Sequence, residues 1–275
     1  MEQLHQALER FKQQTGGTTA SRSTATDPAR AVPPPIVYSR TRVVECEEEL
    51  LRRHRLLAGF ERGPYVEGHK LLRTQVRHRL RENNWNVLGV TSPREREGKS
   101  LTAANLAISL AMEAAQTVLL VDANLRAPSI HRLFGLGDCH GLTEYLVDEA
   151  PLEDVLVHPG IGRFVLLPGG RPLRRSTEAL TSPRMKALVN EVKHRYPARV
   201  VVIDLPALLT TADVLAFAPS LDAVLLVASE GKTTRRDVEE AIQLVGAVVP
   251  IVGTVLNQAG QDDLNVRVMK DLVSI

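Results

Sequence analysis

The residues with the clearest chemical capacity stand together at Gly98-Lys99-Ser100, within NVLGVTSPREREGKSLTAAN, residues 86 to 105. An apolar run precedes them and a helix-forming segment follows, which is the layout of a nucleotide triphosphate site. Backbone N–H groups of such a loop and the positive end of the next helix receive phosphate oxygens. The lysine reaches the terminal phosphates and the hydroxyl ligates Mg²⁺. Glu97 and Leu101 flank the trio and belong to the same candidate nucleotide-binding stretch. The usual pattern has a further glycine five residues before Gly98, where this chain has Pro93. A second match, Gly231-Lys232-Thr233, is separated from its strand-like run only by Ser229 and Glu230, leaving no room for a loop that wraps a phosphate.

Two other apolar runs each deliver an aspartate: TVLLVD ends in Asp122 and RVVVID in Asp204. Beside a triphosphate, one carboxylate holds Mg²⁺ and another orients or deprotonates the nucleophile. Either residue alone is equally compatible with a helix cap or a turn. Asn257, at the end of VGTVLN, is placed to read a base edge with its side-chain amide, with a plain turn asparagine as the rival reading.

These residues need a scaffold that brings strand ends together. Strand-like runs are expected at 87–91, 117–122, 163–167, 199–204, 222–228 and 250–256, and helices at 44–58, 66–83, 99–115, 183–195 and 233–246. Strands apolar on both faces, alternating with helices, predict an α/β fold: a mostly parallel central sheet with helices on both faces. In such a sheet, ligands gather at the carboxyl ends of the strands, where all these motifs fall. Residues 44–275 are expected to form this domain. Ahead of it, residues 1–15 carry Leu4, Leu8 and Phe11 at helical spacing, a short amphipathic helix. Residues 16–43, rich in Gly, Ser, Thr and Pro, read as a linker with little to bury.

With 34 basic against 32 acidic residues, the net charge of +2 argues against a nucleic-acid or anionic-membrane partner. The basic residues gathered between Arg40 and Arg81 read as a solvated helical face. Cys46 and Cys139 are too few for a disulfide framework or a zinc site, which fits a reducing compartment. Met1 to Gln14 is charged throughout, unlike a secretion signal, and no window reaches the ~18 apolar residues of a membrane span. A cytoplasmic location is expected.

TSPREREGKSLTAANLA, VLLVDANLRAPSIHRLFG, VVVIDLPALLTTADVLAFAPSLDAVLLV and GTVLN, in this order, resemble the cytoplasmic tyrosine kinases of bacterial polysaccharide export. Those enzymes belong to the deviant P-loop ATPases, with the chromosome-partitioning and division-site-placing proteins. The resemblance implies a P-loop nucleotide triphosphatase fold, ATP and Mg²⁺ as ligands, and Lys99 and Ser100 as phosphate and Mg²⁺ contacts. It makes Asp122 and Asp204 the acidic pair and adds Arg126, in the second motif, to the nucleotide contacts. It also implies a membrane polysaccharide co-polymerase, whose cytoplasmic tail stimulates the kinase and recruits it to the inner membrane. Glu67, Lys70 and Arg73 resemble the family's Glu, Arg, Arg repeat that docks a neighbouring subunit in a ring, with Lys70 in place of an arginine. Spacing of three puts them on one helix face.

Three departures bear on activity. The family's second motif carries two aspartates, and Asn124 stands at the second; an amide cannot take up a proton or neutralise Mg²⁺ charge. The segment QAGQDDLNVRVMKDLVSI has no tyrosine, and Tyr38, Tyr65, Tyr145 and Tyr196 are scattered, so autophosphorylation of a tyrosine cluster is not expected. Arg94-Glu95-Arg96 replaces the small part of the loop. Two alternatives therefore stay open beside an exopolysaccharide tyrosine kinase. One is a positioning ATPase, whose signature lysine would sit where Arg94 does; the other is a nucleotide-dependent oligomerisation switch that phosphorylates nothing.

Overall fold

The computed structural model describes residues 41–60, 62–113, 116–194 and 199–259. The segment expected to form the amphipathic N-terminal helix, nearly all of the linker, and the tyrosine-free tail beyond Ala259 lie outside them. In chain order the first elements are β1 (Arg42–Val43), α1 (Glu48–Arg53), α2 (Pro64–Glu82), β2 (Val87–Thr91), α3 (Lys99–Ala111), β3 (Thr117–Asp122), α4 (Ile130–Leu133), α5 (Leu142–Val147) and α6 (Leu152–Val155). Then follow β4 (Val157–His158), β5 (Phe164–Leu167), α7 (Ser176–Leu180), α8 (Pro183–His194), β6 (Arg199–Asp204), α9 (Asp213–Phe217), β7 (Ala223–Ser229), α10 (Arg235–Gly246) and β8 (Ile251–Asn257).

Apart from Arg199, every residue of β2, β3, β6 and β7 is buried. Strands with two apolar faces must sit inside a sheet that is covered on both sides, and these four occupy its centre. The order is β1-β4-β5-β3-β6-β2-β7-β8. The six strands from β5 to β8 in that order are parallel, β4 runs antiparallel to β5, and β1 is parallel to β4.

Alternation along the strands divides the core in two. Leu88, Val90, Leu120 and Val202 face one side, with Leu72 and Val76 of α2 and the alanines of α3. Val87, Leu119, Val201 and Ile203 face the other, with Leu188 of α8 and Ala241 of α10. Residues Thr102 to Ala111 of α3 are all buried, and Ala103, Ala104 and Ala107 let the helix lie close against the sheet. The N-terminus of α3 is thereby fixed at the carboxyl edge of β2.

The six main strands and the helices expected at 66–83, 183–195 and 233–246 appear within one or two residues of their expected positions, while the helix expected at 99–115 ends at Ala111. One further expectation needs correction. Residues 44–58 do not form one helix: Val44 continues the edge pairing through its N–H to the His158 carbonyl (2.9 Å), α1 spans only Glu48–Arg53, and a 3₁₀ turn follows at Leu57–Gly59. The cause is Asn105 of α3, which is fully buried. Its Oδ1 accepts from the Leu57 N–H (2.8 Å), and its Nδ2 donates to the Arg55 carbonyl (2.9 Å) and the Tyr65 hydroxyl (2.7 Å). The backbone groups that a continuing helix needs are taken by this side chain. Arg42 and Val43, from the end of the segment read as linker, join β4 as β1. Among the described residues no helix is long and apolar enough to cross a membrane.

Candidate nucleotide-binding site

Gly98 caps α3 in the left-handed region (φ 89°), and no side chain caps the helix. The first-turn N–H groups of α3 are therefore available to an anion, aided by the helix dipole. At φ 89° a residue with a Cβ is strained, and that Cβ would also press on the Asn257 side-chain amide, which favours glycine at position 98. Lys99 opens the helix, and its Nζ lies 3.4 Å from Ser100 Oγ. The segment leading in is supported from β6 onward, where the Leu208 and Leu209 N–H groups donate to the Ser92 (2.8 Å) and Pro93 (3.1 Å) carbonyls.

Asp122 and Asp204 are register partners on neighbouring parallel strands, β3 and β6, and both are fully buried. Strands lie about 4.8 Å apart, so the two carboxylates share one small volume. Their surroundings differ. Asp122 Oδ2 accepts from the Ser129 (2.9 Å) and Ile130 (3.0 Å) N–H groups, and Oδ1 from the Asn124 N–H (3.2 Å). Asp122 thus fastens the start of α4 as well as facing the site. Burial raises its pKa, opposed by those three N–H groups and by Lys99. Both oxygens of Asp204 have no hydrogen-bond partner. Burial pushes Asp204 up to about 7; Lys99 pulls it down, Asp122 pushes it further up, and the nearby Ser100 hydroxyl adds a weaker downward pull.

A buried carboxylate with two unpartnered oxygens, beside a hydroxyl at a helix N-terminus, fits a cation that also binds phosphate oxygens. Among the described residues no group of three His, Cys, Asp or Glu side chains is arranged to hold a metal. This donor set suits Mg²⁺, which takes one or two carboxylates and completes its shell with phosphate and water.

Leu101, on the first turn of α3, packs against the core. Glu97 is buried and turns away from the helix end: Oε2 accepts from the Arg94 N–H (2.7 Å) and Oε1 from the Thr233 hydroxyl. Asn257 Nδ2 donates to the Glu97 carbonyl (3.0 Å), so that amide edge supports the loop. Arg126 pairs with Asp213 (3.1 Å), which also accepts from Ser176 Oγ (2.7 Å) and from Thr177. Burial pushes the Asp213 carboxyl up, but the Arg126, Ser176 and Thr177 hydrogen bonds outweigh it and hold it below its usual range. Lys70 and Glu67 form an exposed ion pair on α2 (2.7 Å). Arg73 turns inward, to Glu113 (3.3 Å) and the Ser109 carbonyl (3.2 Å).

Asp237, Asp213 and Asn105 escape a reading of the sequence, and Thr233 is visible there only as part of the second Gly-Lys-Thr match, Gly231-Lys232-Thr233. That second match supplies the one available signal: a Gly-Lys-Thr too close to its strand to wrap a phosphate itself, yet placed at the carboxyl edge where its threonine meets the loop.

A parallel sheet with a glycine-capped, lysine-led helix and two strand-end aspartates at its carboxyl edge defines a fold of the P-loop class. No family model matches the sequence. The chain is 33% identical over 193 residues to the tyrosine-protein kinase etk of Escherichia coli K12, covering 70% of this chain and 26% of that protein. It is 30% identical over 192 residues to the tyrosine-protein kinase CpsD of Streptococcus agalactiae, covering 69% of this chain and 82% of that one. To the succinoglycan biosynthesis transport protein ExoP of Rhizobium meliloti it is 29% identical over 217 residues, covering 78% and 27%. The solved kinase domain of the Escherichia coli etk protein superposes with a TM-score of 0.66 at 30% identity, covering 81% of this chain and 89% of that domain. The chain belongs to the bacterial tyrosine-protein kinase family. It spans about a quarter of the length of the Escherichia coli and Rhizobium relatives and about four fifths of the streptococcal kinase.

Proposed function

We propose that the chain binds ATP with Mg²⁺ and transfers the γ-phosphoryl group to tyrosine, regulating exopolysaccharide or capsule synthesis and export. The carrying observation is Asp204: a fully buried carboxylate with both oxygens unpartnered, beside Lys99 and Ser100 at the open N-terminus of α3. Ser100 and Asp204 would hold Mg²⁺, which when bound neutralises charge on the phosphate oxygens. The α3 N–H groups and Lys99 receive the β- and γ-phosphates. Asp122 Oδ1, carrying a single long hydrogen bond, orients the tyrosine hydroxyl and takes its proton as the tyrosyl oxygen–phosphorus bond forms and the bond to ADP breaks. Asn124 donates through Nδ2 to the Ala127 carbonyl (3.2 Å) and supplies no second negative charge, which predicts slow turnover.

The polysaccharide setting and a membrane co-polymerase partner rest on family membership and on the named role of the Rhizobium relative. Recruitment to the inner membrane would come from that partner. Ring assembly through Glu67 and Lys70 is part of the same reading; Arg73 contributes to it indirectly by anchoring α2 on α3. Arg94 folds onto Asp237 (2.7 Å), which takes it out of the place a signature lysine would need at a dimer interface and favours the kinase over the positioning ATPase. The test is incubation of purified protein with Mg²⁺ and ATP, with and without the co-polymerase tail, and phosphotyrosine mapping by mass spectrometry. Phosphotyrosine that disappears in Lys99→Ala is the expected result. Phosphate release without phosphotyrosine under both conditions would replace the kinase by an ATPase, and tight nucleotide binding with neither would leave a switch.

A further inference from the structure

The phosphate loop of this chain lacks the glycines that ordinarily let such a loop turn its N–H groups toward an anion, and Gly98 is its only one. Arg96 nevertheless holds the left-handed region at φ 61°, a conformation that is costly for a residue with a Cβ. Something outside the loop must hold it there. The contacts come from the β7–α10 junction and from β8. The Thr233 hydroxyl accepts from the Ser229 N–H (2.7 Å), so its own proton is free to go to Glu97 Oε1. Glu97 Oε2 accepts from the Arg94 N–H, closing the loop on itself, and the Glu97 carbonyl accepts from Asn257. On the outer side, Arg94 donates through Nε (2.9 Å) and Nη2 (2.7 Å) to Asp237 Oδ1, while Asp237 Oδ2 accepts from the Thr234 N–H (3.1 Å) and hydroxyl (2.7 Å) at the start of α10.

We infer that Thr233 and Asp237 are positioning residues of the nucleotide site. Through Glu97 and Arg94 they impose on a glycine-poor loop the shape that receives phosphate. The Gly231-Lys232-Thr233 turn binds no nucleotide itself; it clamps the loop that does. Because Arg96 resists the left-handed region, the clamp is needed where a glycine would make it dispensable.

This rests on the ATP-binding reading, and the experiment separates the two. Affinity for ATP with Mg²⁺ is measured by calorimetric titration for the wild type, Thr233→Val, Thr233→Ser, Arg96→Gly and Arg96→Gly/Thr233→Val. Melting without nucleotide and hydrogen exchange of the amides of residues 94–98 accompany each. Loss of a hydrogen bond to a buried carboxylate predicts binding weaker by about tenfold and faster loop exchange in Thr233→Val. Thr233→Ser should stay within about twofold, because the hydroxyl is retained. In the Arg96→Gly background the Thr233→Val loss should shrink below about threefold, the coupling expected of groups acting on one conformation. Equal losses in both backgrounds, or unchanged affinity and exchange in Thr233→Val, overturn the clamp. If Thr233→Val does not fold, Asp237→Asn is judged by the same criteria. A wild type that binds no ATP overturns the nucleotide reading instead, and the exchange data then judge the clamp alone.

Discussion

Replacing Asp204 by asparagine should stabilise the nucleotide-free protein progressively as pH rises. Asp204 is fully buried with both oxygens unpartnered, and burial pushes its pKa from 3.8 to about 7. Between those values the folded chain keeps a proton that the unfolded chain has released, so the folded state binds more protons. Stability therefore falls as pH rises through the window, by about 1.4 kcal/mol per pH unit, and levels off above about 7. From pH 5 to pH 8 this amounts to about 3 kcal/mol in the wild type. The amide of the Asp204→Asn variant cannot ionise, so that variant lacks this component. Any fixed penalty for burying an amide is present at both pH values and cancels when they are compared. Urea unfolding of both proteins at pH 5 and pH 8, without Mg²⁺ or nucleotide, reads the effect. The advantage of Asp204→Asn over the wild type should grow by about 3 kcal/mol across that range. Parallel profiles would show that Asp204 is not held protonated by burial, and the assignment of its bare oxygens to a cation would lose its physical basis.

The neighbouring aspartate should respond in the opposite sense. Asp122→Ala strands the N–H groups of Asn124, Ser129 and Ile130, and unfolding at pH 7 should show a loss of about 3 kcal/mol. Arg96→Gly relieves a left-handed residue and should stabilise the apo protein by about 1 kcal/mol in the same measurement. The Tyr65 hydroxyl is pushed up to about 12, chiefly by burial, with Arg55 and Asn105 pulling the other way. The folded state then holds its proton between about 10 and 12 while the unfolded state releases it, so stability falls with rising pH there. An ultraviolet titration difference between the wild type and Tyr65→Phe should place that ionisation near 12; a step near 10 would contradict the shielding of that part-buried hydroxyl.

Those predictions draw unequally on what the sequence shows. The parallel sheet is readable because β2, β3, β6 and β7 are apolar on both faces, a pattern with few other folded solutions. Asp122 and Asp204 are readable because each ends such a strand; the difference in their hydrogen bonding is not, since it depends on which N–H groups point back from Asn124, Ser129 and Ile130. A single helix over 44–58 is the wrong expectation because local propensity says nothing of one buried amide, Asn105, that captures backbone groups 48 residues away. β1 and β4, two residues each, are too short to carry any periodic signal.

The phosphate loop shows where reading from sequence must stop. Its scarcity of glycine is plain, and taken locally it counts against a nucleotide site. The compensating contacts come from residues 136 and 143 positions further along, Thr233 to Glu97 and Asp237 to Arg94. They meet because β2 and β7 are neighbours in the sheet, and strand order is set by the packing of all eight strands, not by either segment. A loop that departs from its usual composition is thus informative in a particular way. Either the function is gone or the constraint has moved to whatever the fold places beside the loop, and the buried Glu97 carboxylate, with both its oxygens engaged, is the observation on which the proposed clamp rests.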